Sequence, residues 1–212
     1  MAIIVMADII GSSDKTGKAL MTSFMNSVEN INGGNKEHIL SPLTITLGDE
    51  FQGVAKNAYG ALKILLDFEY HILRLKNPYK LRYIVYEGEI ETKINRSSSH
   101  QMLGSGLTNA RNALAELKST KNRFKILLKD ELLTEKLNYG FSVFQGIVDR
   151  WTVAQRKVVI ALLHNPDYKE VAKIVHKDPT VIWRRKRSLM IEEYFSIRKL
   201  ILLLVNPKLK WI

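Results

Sequence analysis

The chain contains no cysteine. This excludes disulfide frameworks, thiolate metal sites and cysteine nucleophiles, and agrees with a reducing, cytoplasmic setting. Long apolar runs are also missing. The opening run A-I-I-V-M-A reaches Asp8 too soon to act as a signal peptide. The late run at 200–205 is far shorter than the roughly 20 residues of a membrane span. A soluble chain with no membrane insertion is expected. The histidines, at 38, 71, 100, 164 and 176, share no metal-ligand spacing. Negative charge is scarce, with 21 Asp and Glu against 32 Lys and Arg and a net charge of +11. The deficit is local, since residues 151–212 hold 13 Lys and Arg against 5 Asp and Glu while the remainder is nearly balanced. A basic module joined to a balanced one favours a polyanionic partner, most often nucleic acid.

What is present begins with apolar strands that run into carboxylates. Residues 2–7 form a continuous apolar stretch ending at Asp8, and residues 43–47 lead into Gly48-Asp49 before a second strand at 51–55. The spacing predicts a β-hairpin with Asp49 at its tip. A buried strand that ends in Asp places a hard anion at a sheet edge, where it needs a cation or hydrogen-bond donors. Between these strands, Leu20, Phe24, Val28 and Ile31 mark one apolar helix face over 15–31. Ser or Asp within Ser12-Ser13-Asp14 is expected to cap that helix, and Asn32-Gly33-Gly34-Asn35 to end it. A helix at 57–76, a strand at 81–86, a helix at 107–118 and a strand at 124–128 follow. The order predicts an α+β fold, a ferredoxin-like antiparallel sheet with helices on one face. Taken alone, G-D-E is also ordinary turn chemistry, Arg111 an ordinary solvated helix residue, and Glu87, Glu89 and Glu91 the wet face of a strand.

These segments resemble known motifs. D-I-I-G-S at 8–12 is similar to the first-strand signature of class III nucleotidyl cyclases, and T-L-G-D-E-F at 46–51 to their metal-binding hairpin. It is still more similar to the G-G-D-E-F hairpin of diguanylate cyclases. Y-I-V-Y-E-G-E followed by G-S-G-L-T-N-A-R-N-A-L resembles the later cyclase strand and helix, and the chain as a whole resembles the SatD family, a cyclase-like domain before a helix-turn-helix. The resemblance implies that Asp8, Asp49 and the backbone carbonyl of Ile9 would hold Mg2+ or Mn2+. Gly11, Ser12, Ser13, Asn109 and Arg111 would bind a purine nucleotide, the turn directing N–H groups at phosphates. In an active enzyme Arg111 would be catalytic, neutralising charge on the transferring phosphate. Two departures stand beside this. Leu107 occupies the position where cyclases carry an asparagine, and the lysine and aspartate that select adenine have no counterparts.

The C-terminal part reads as helices. Leu133, Leu137, Phe141, Phe144 and Val148 make one linking helix that leads to Trp151, and Thr152-Val153-Ala154-Gln155 is a capping box for the next. Residues 168–175 form a short amphipathic helix, 176–178 a turn, and Asp178-Pro179 the capped start of a basic helix expected to run to 193. A final helix is expected at 197–205, apolar nearly all round and suited to packing or dimerisation. This is the helix-turn-helix pattern. Thr180, Trp183, Arg184 and Arg187 share the groove-facing side, whereas Lys169, Lys177 and Arg185 are placed to touch phosphates. His176 takes a turn position where glycine is usual, and Lys186 stands where a core leucine is expected. The domains are expected at 1–129 (cyclase-like), 130–150 (linking helix) and 151–212 (helix-turn-helix).

Three functions compete. The first is a cytoplasmic transcription regulator, a homodimer on double-stranded DNA, whose cyclase-like domain binds a nucleotide and Mg2+ as sensor or dimerisation element. The second is an active nucleotidyl cyclase using two metal ions. The third is a protein-interaction adaptor. The missing cyclase companions and the basic C-terminal module favour the first.

Overall fold

The computed structural model describes residues 1–11, 17–46 and 48–208. The expected cap at Ser12-Ser13-Asp14 and the hairpin residue Leu47 lie outside the described residues. The chain divides into two compact units, 1–138 with 202–212, and 139–201.

The first unit is built on five strands, β1 (Ala2–Ile9), β2 (Ile39–Ile45), β3 (Glu50–Ala55), β4 (Leu81–Gly88) and β5 (Phe124–Leu127), in the order β2-β3-β1-β4-β5. β1 is central because its apolar run is buried on both faces. The β1–β3, β1–β4 and β2–β3 ladders are antiparallel, and β5 joins β4 in parallel, so the sheet is mixed rather than antiparallel throughout. The link from β4 to β5 passes through α3 (Ser105–Leu117), and such a crossover is what lets two strands run parallel.

Side-chain parity along β1 divides the core. Val5 and Ala7 share the face that carries Phe51 and Tyr83, their ladder neighbours. There a row of rings crosses the sheet. Phe24 of α1 (Lys18–Gly34) stacks on Phe51 at 6.0 Å, Phe51 on Phe68 of α2 (Ala58–Arg74) at 5.4 Å, and Tyr83 on Phe124 at 5.2 Å. Such contacts add about 0.5–1.5 kcal/mol each beyond the area they bury. Ile4 and Met6 point the other way and pack with Ile84 against Ala110, Ala113, Leu114 and Leu117 of α3. The expectation of helices on one face is therefore corrected, because α1 and α2 cover one face and α3 the other. The alternation in β1 is apolar on both sides, and both faces need cover.

Two local features fix α3. A Cβ on Gly106 would lie 2.6 Å from the backbone oxygen of Glu89, and one on Gly88 would lie 2.6 Å from the Cα of Gly106. Only glycine permits this approach of helix start to strand end. The connection before α3 folds onto the β2 edge. Ser99 donates its hydroxyl to Pro42 O (2.6 Å) and its N–H to Thr44 Oγ1 (2.8 Å), while Gln52 donates to Ser99 O.

Several expected bounds shift. α1 runs on through Gly34, and Asn32 instead ties the helix to β2 by bonding both the N–H (2.9 Å) and the C=O (2.8 Å) of Leu43. The linking helix is α4 (Glu131–Val148).

The second unit holds α5 (Arg156–His164), α6 (Tyr168–Val175) and α7 (Pro179–Ser188), and most of α8 (Ile191–Val205). Gln155 closes half of the expected capping box by accepting from Thr152 N at 3.0 Å, but helix α5 begins only at Arg156, three residues after the start the box predicts. The basic helix, expected to 193, ends at Ser188. Met190 turns left-handed with φ +55°, and Leu189 O is drawn to Trp151 Nε1 at 2.9 Å, so α8 begins early, at Ile191.

Candidate functional site

The Asp8 corner is set by ladder register. In β1–β3, Asp8 lies opposite Glu50, and in β1–β4 opposite Arg82, so all three share the α3 face of the sheet. Asp8 and Glu50 are buried, at 2% and 6% exposure. Two carboxylates in adjacent strands repel each other and lose hydration, and both effects need cations to offset them. Helix α3 and its cap supply them. Lys118 Nζ lies 2.9 Å from Asp8 Oδ2, Arg111 Nε lies 3.6 Å from Glu50 Oε1, and Arg82 reaches Asp8 Oδ1 at 3.6 Å.

Burial pushes the Glu50 carboxyl above the usual carboxylate range, Arg111 and Lys118 acting against it and Asp8 with it. The hydrogen bond to Asp8 holds Lys118 above the usual lysine range, helped by the charges of Asp8, Glu50 and Asp49. Asp8 Oδ1 is buried and accepts no hydrogen bond.

Of the expected metal residues, Asp8 and Asp49 do come to the same corner. Asp49 O accepts the N–H of Ile9 at 3.0 Å, which closes the hairpin onto the end of β1, and Gly48 makes the turn at φ +73°. Among the described residues no three His, Cys, Asp or Glu side chains are arranged to hold a metal ion. The residues therefore do not fit a divalent site, and Asp8 is held by Lys118 and Arg82 instead. Among the nucleotide candidates, Arg111 stands at Glu50, and Asn109 donates to Tyr86 Oη at 3.3 Å. Gly11 is half-buried with φ +69°, and Ser12 and Ser13 lie outside the described residues.

Sequence reasoning missed Glu50, Arg82 and Lys118. Two signals were available. Strand alternation from Val54 through Gln52 puts Glu50, not Asp49, on the face that Asp8 shares. Arg111 and Lys118 lie seven residues apart, two helical turns, and so share one face of α3. Arg82 is the one charge in the apolar stretch 81–86 of β4, itself a sign of a buried partner.

Between α1 and α2 lies a groove of about 880 Å³, lined by Lys18, Ser23, Asn26, His71, Lys76 and Tyr79 among others. Its floor is polar. His71 Nε2 meets Ser27 Oγ at 3.1 Å, and the Tyr79 hydroxyl is buried without a hydrogen bond. Burial pushes the Tyr79 phenol up to about 12.

In the second unit, α6 and α7 are joined by His176, Lys177 and Asp178. His176 occupies the left-handed region at φ +54°, the conformation for which turns of this kind use glycine. Asp178 caps α7 by accepting from Thr180 N at 2.7 Å, and this hydrogen bond holds its carboxyl below the usual range. Ile182 is fully buried, so Thr180, Trp183, Arg184 and Arg187 are turned outward, with the Arg187 guanidinium 5.2 Å from the Trp183 ring centre. Lys169 and Lys177 are exposed and Arg185 half-buried. Lys186, where leucine was expected, reaches out of the core to Glu192 at 2.9 Å.

The family model described as the SatD family matches residues 2–202. The chain belongs to the SatD family. Comparison with curated proteins returns no match. Among solved structures this SatD-family chain is similar to the guanylate cyclase domain of RhGC from Catenaria anguillulae with GTP, at 16% identity and TM-score 0.41, covering 59% of this chain and 76% of that one. It is also similar to a bacterial light-regulated adenylyl cyclase, at 14% identity and TM-score 0.43, covering 59% of this chain and 74% of the other. No helix among the described residues is long and apolar enough to cross a membrane.

Proposed function

We propose that the chain is a DNA-binding transcription regulator, acting as a homodimer, whose N-terminal unit binds a purine nucleotide as its ligand. The observation that carries this is the outer face of α7. A capped helix follows a three-residue turn, buries Ile182 and exposes Thr180, Trp183, Arg184 and Arg187 together. A face of this kind gains free energy on DNA by releasing counterions from phosphates, and reads base edges through arginine. Lys169, Lys177 and Arg185 would hold the backbone to either side. Two copies of the helix, related by two-fold symmetry, would read paired half-sites.

For the ligand, the corner on the α3 face of the sheet brings Arg111 and Lys118 to Glu50 and Asp8. Arg111 and Lys118 supply positive charge suited to phosphates, and Gly11 leads toward the start of α1.

Selection of duplexes from a random DNA pool by the full chain tests this reading. The wild type is expected to enrich a defined sequence, and the double variant Arg184→Ala/Arg187→Ala to lose that enrichment. A wild type that retains no DNA even at low salt would remove the reading.

The enzyme alternative rests on Arg111 standing beside the buried carboxylate of Glu50. Incubation with each nucleoside triphosphate and Mg2+ or Mn2+ distinguishes it, because only an active cyclase forms a cyclic product.

A further inference from the structure

We propose that the groove between α1 and α2 is a second ligand site, which takes a small organic acid with its carboxylate at Tyr79 and its apolar body along Leu20, Leu75 and Pro78. The groove lies on the sheet face covered by α1 and α2, whereas the Asp8 corner lies on the α3 face. Binding there is independent of the nucleotide reading.

The marker is a donor with no acceptor. Tyr79 lines the groove at 3% exposure, and its hydroxyl is buried without a hydrogen-bond partner. Such a group costs stability and is seldom left so. Its neighbours on the floor are already committed to each other. Ser27 gives its one hydrogen to Ser23 O at 2.7 Å, so His71 Nε2, 3.1 Å from Ser27 Oγ, is the donor in that pair. Phe24 packs edge-on against the Tyr79 ring at 6.0 Å and holds it in place. Burial pushes the phenol up to about 12, so at neutral pH the hydroxyl keeps its proton and remains a donor.

The rest of the lining gives the sign and shape of the missing partner. Lys18 and Lys76 line the groove, and among the described lining residues there is no Asp or Glu. A carboxylate accepts from the phenol and is attracted by both lysines, whereas an amine would meet like charge. Leu20, Leu75 and Pro78 are half-buried and leave apolar surface for a hydrocarbon body. At about 880 Å³ the groove falls within the range of small-molecule sites, about 300–1,000 Å³.

Saturation-transfer NMR on the full chain with phenylacetate, its neutral amide phenylacetamide and the cation phenethylamine tests the site. Phenylacetate is expected to bind at least fivefold more tightly than either of the others. Tyr79→Phe removes only the hydroxyl and should weaken phenylacetate at least fivefold. Its urea midpoint should be no lower than that of wild type, because the group removed had no partner in the folded chain. Asn26→Trp fills the groove from an exposed position on α1 and should abolish binding, with Asn26→Phe in its place where circular dichroism shows the first variant unfolded. No binding of phenylacetate by wild type, no preference for the acid, or unchanged affinity in Tyr79→Phe and the groove-filling variant overturns the site. A lowered midpoint in Tyr79→Phe also overturns it, since the hydroxyl would then serve the fold.

Discussion

Asp8 is buried at the end of β1, where Lys118 reaches it from the end of α3 and Arg82 from β4. His71 illustrates a different outcome of burial. Its imidazole is held below the usual histidine range first by desolvation and then by the charge of Arg74. Between the usual range and that lowered value the unfolded chain binds more protons than the folded one. Stability should therefore be present above the usual histidine range and fall as pH drops through it. Urea midpoints of wild type and His71→Gln at pH 7.5 and pH 5 check this, and the variant should lose less stability on acidification. At this scale the sequence was only partly readable. Asp8 stood out because a charge closed an apolar run. Glu50 was overshadowed by its neighbour Asp49, because the hairpin tip draws attention to the turn while the ladder register decides which acid is buried. Lys118 carries no local mark of its role, since the ion pair that defines it spans most of the first unit in sequence.

The elements are held by a few backbone positions. Gly106 lets α3 start against the backbone of Glu89, and α3 carries both Arg111 and Lys118 to the carboxylates. Gly106→Ala should destabilise the protein by about 1–3 kcal/mol through overpacking, measured by urea unfolding. His176 adopts its left-handed turn without the freedom of glycine. His176→Gly should stabilise the second unit by about 1 kcal/mol, seen as a higher urea midpoint. Helix and strand order followed from apolar periodicity, and α6 was read to the residue because Asp167 and His176 bracket it. The break between α7 and α8 was not readable. Nothing in the residue types at 189–190 signals a turn, which depends on Leu189 O meeting Trp151 and on the left-handed backbone of Met190. The helices on both sheet faces were implicit in the doubly apolar pattern of β1, whereas the parallel pairing of β5 depends on the crossover through α3.

For the whole molecule, the account joins a ligand-binding unit to a basic helical one in a chain of net charge +11. A nucleotide that binds only the folded state raises its apparent stability, by about 2.7 kcal/mol at one hundred times the dissociation constant. ATP or GTP with Mg2+ should therefore raise the melting temperature of the wild type, and Arg111→Ala should abolish the rise. An equal rise in the variant would take Arg111 out of the site. DNA binding is the central claim, and the dependence of affinity on salt tests it most directly. Fluorescence anisotropy with a selected duplex, at several salt concentrations, should give a steep linear fall in log affinity for the wild type. Lys177→Ala/Arg185→Ala should make that slope shallower by about two units, one for each phosphate left without its cation. The same slope in both proteins, or no binding by the wild type at the lowest salt, would contradict the account.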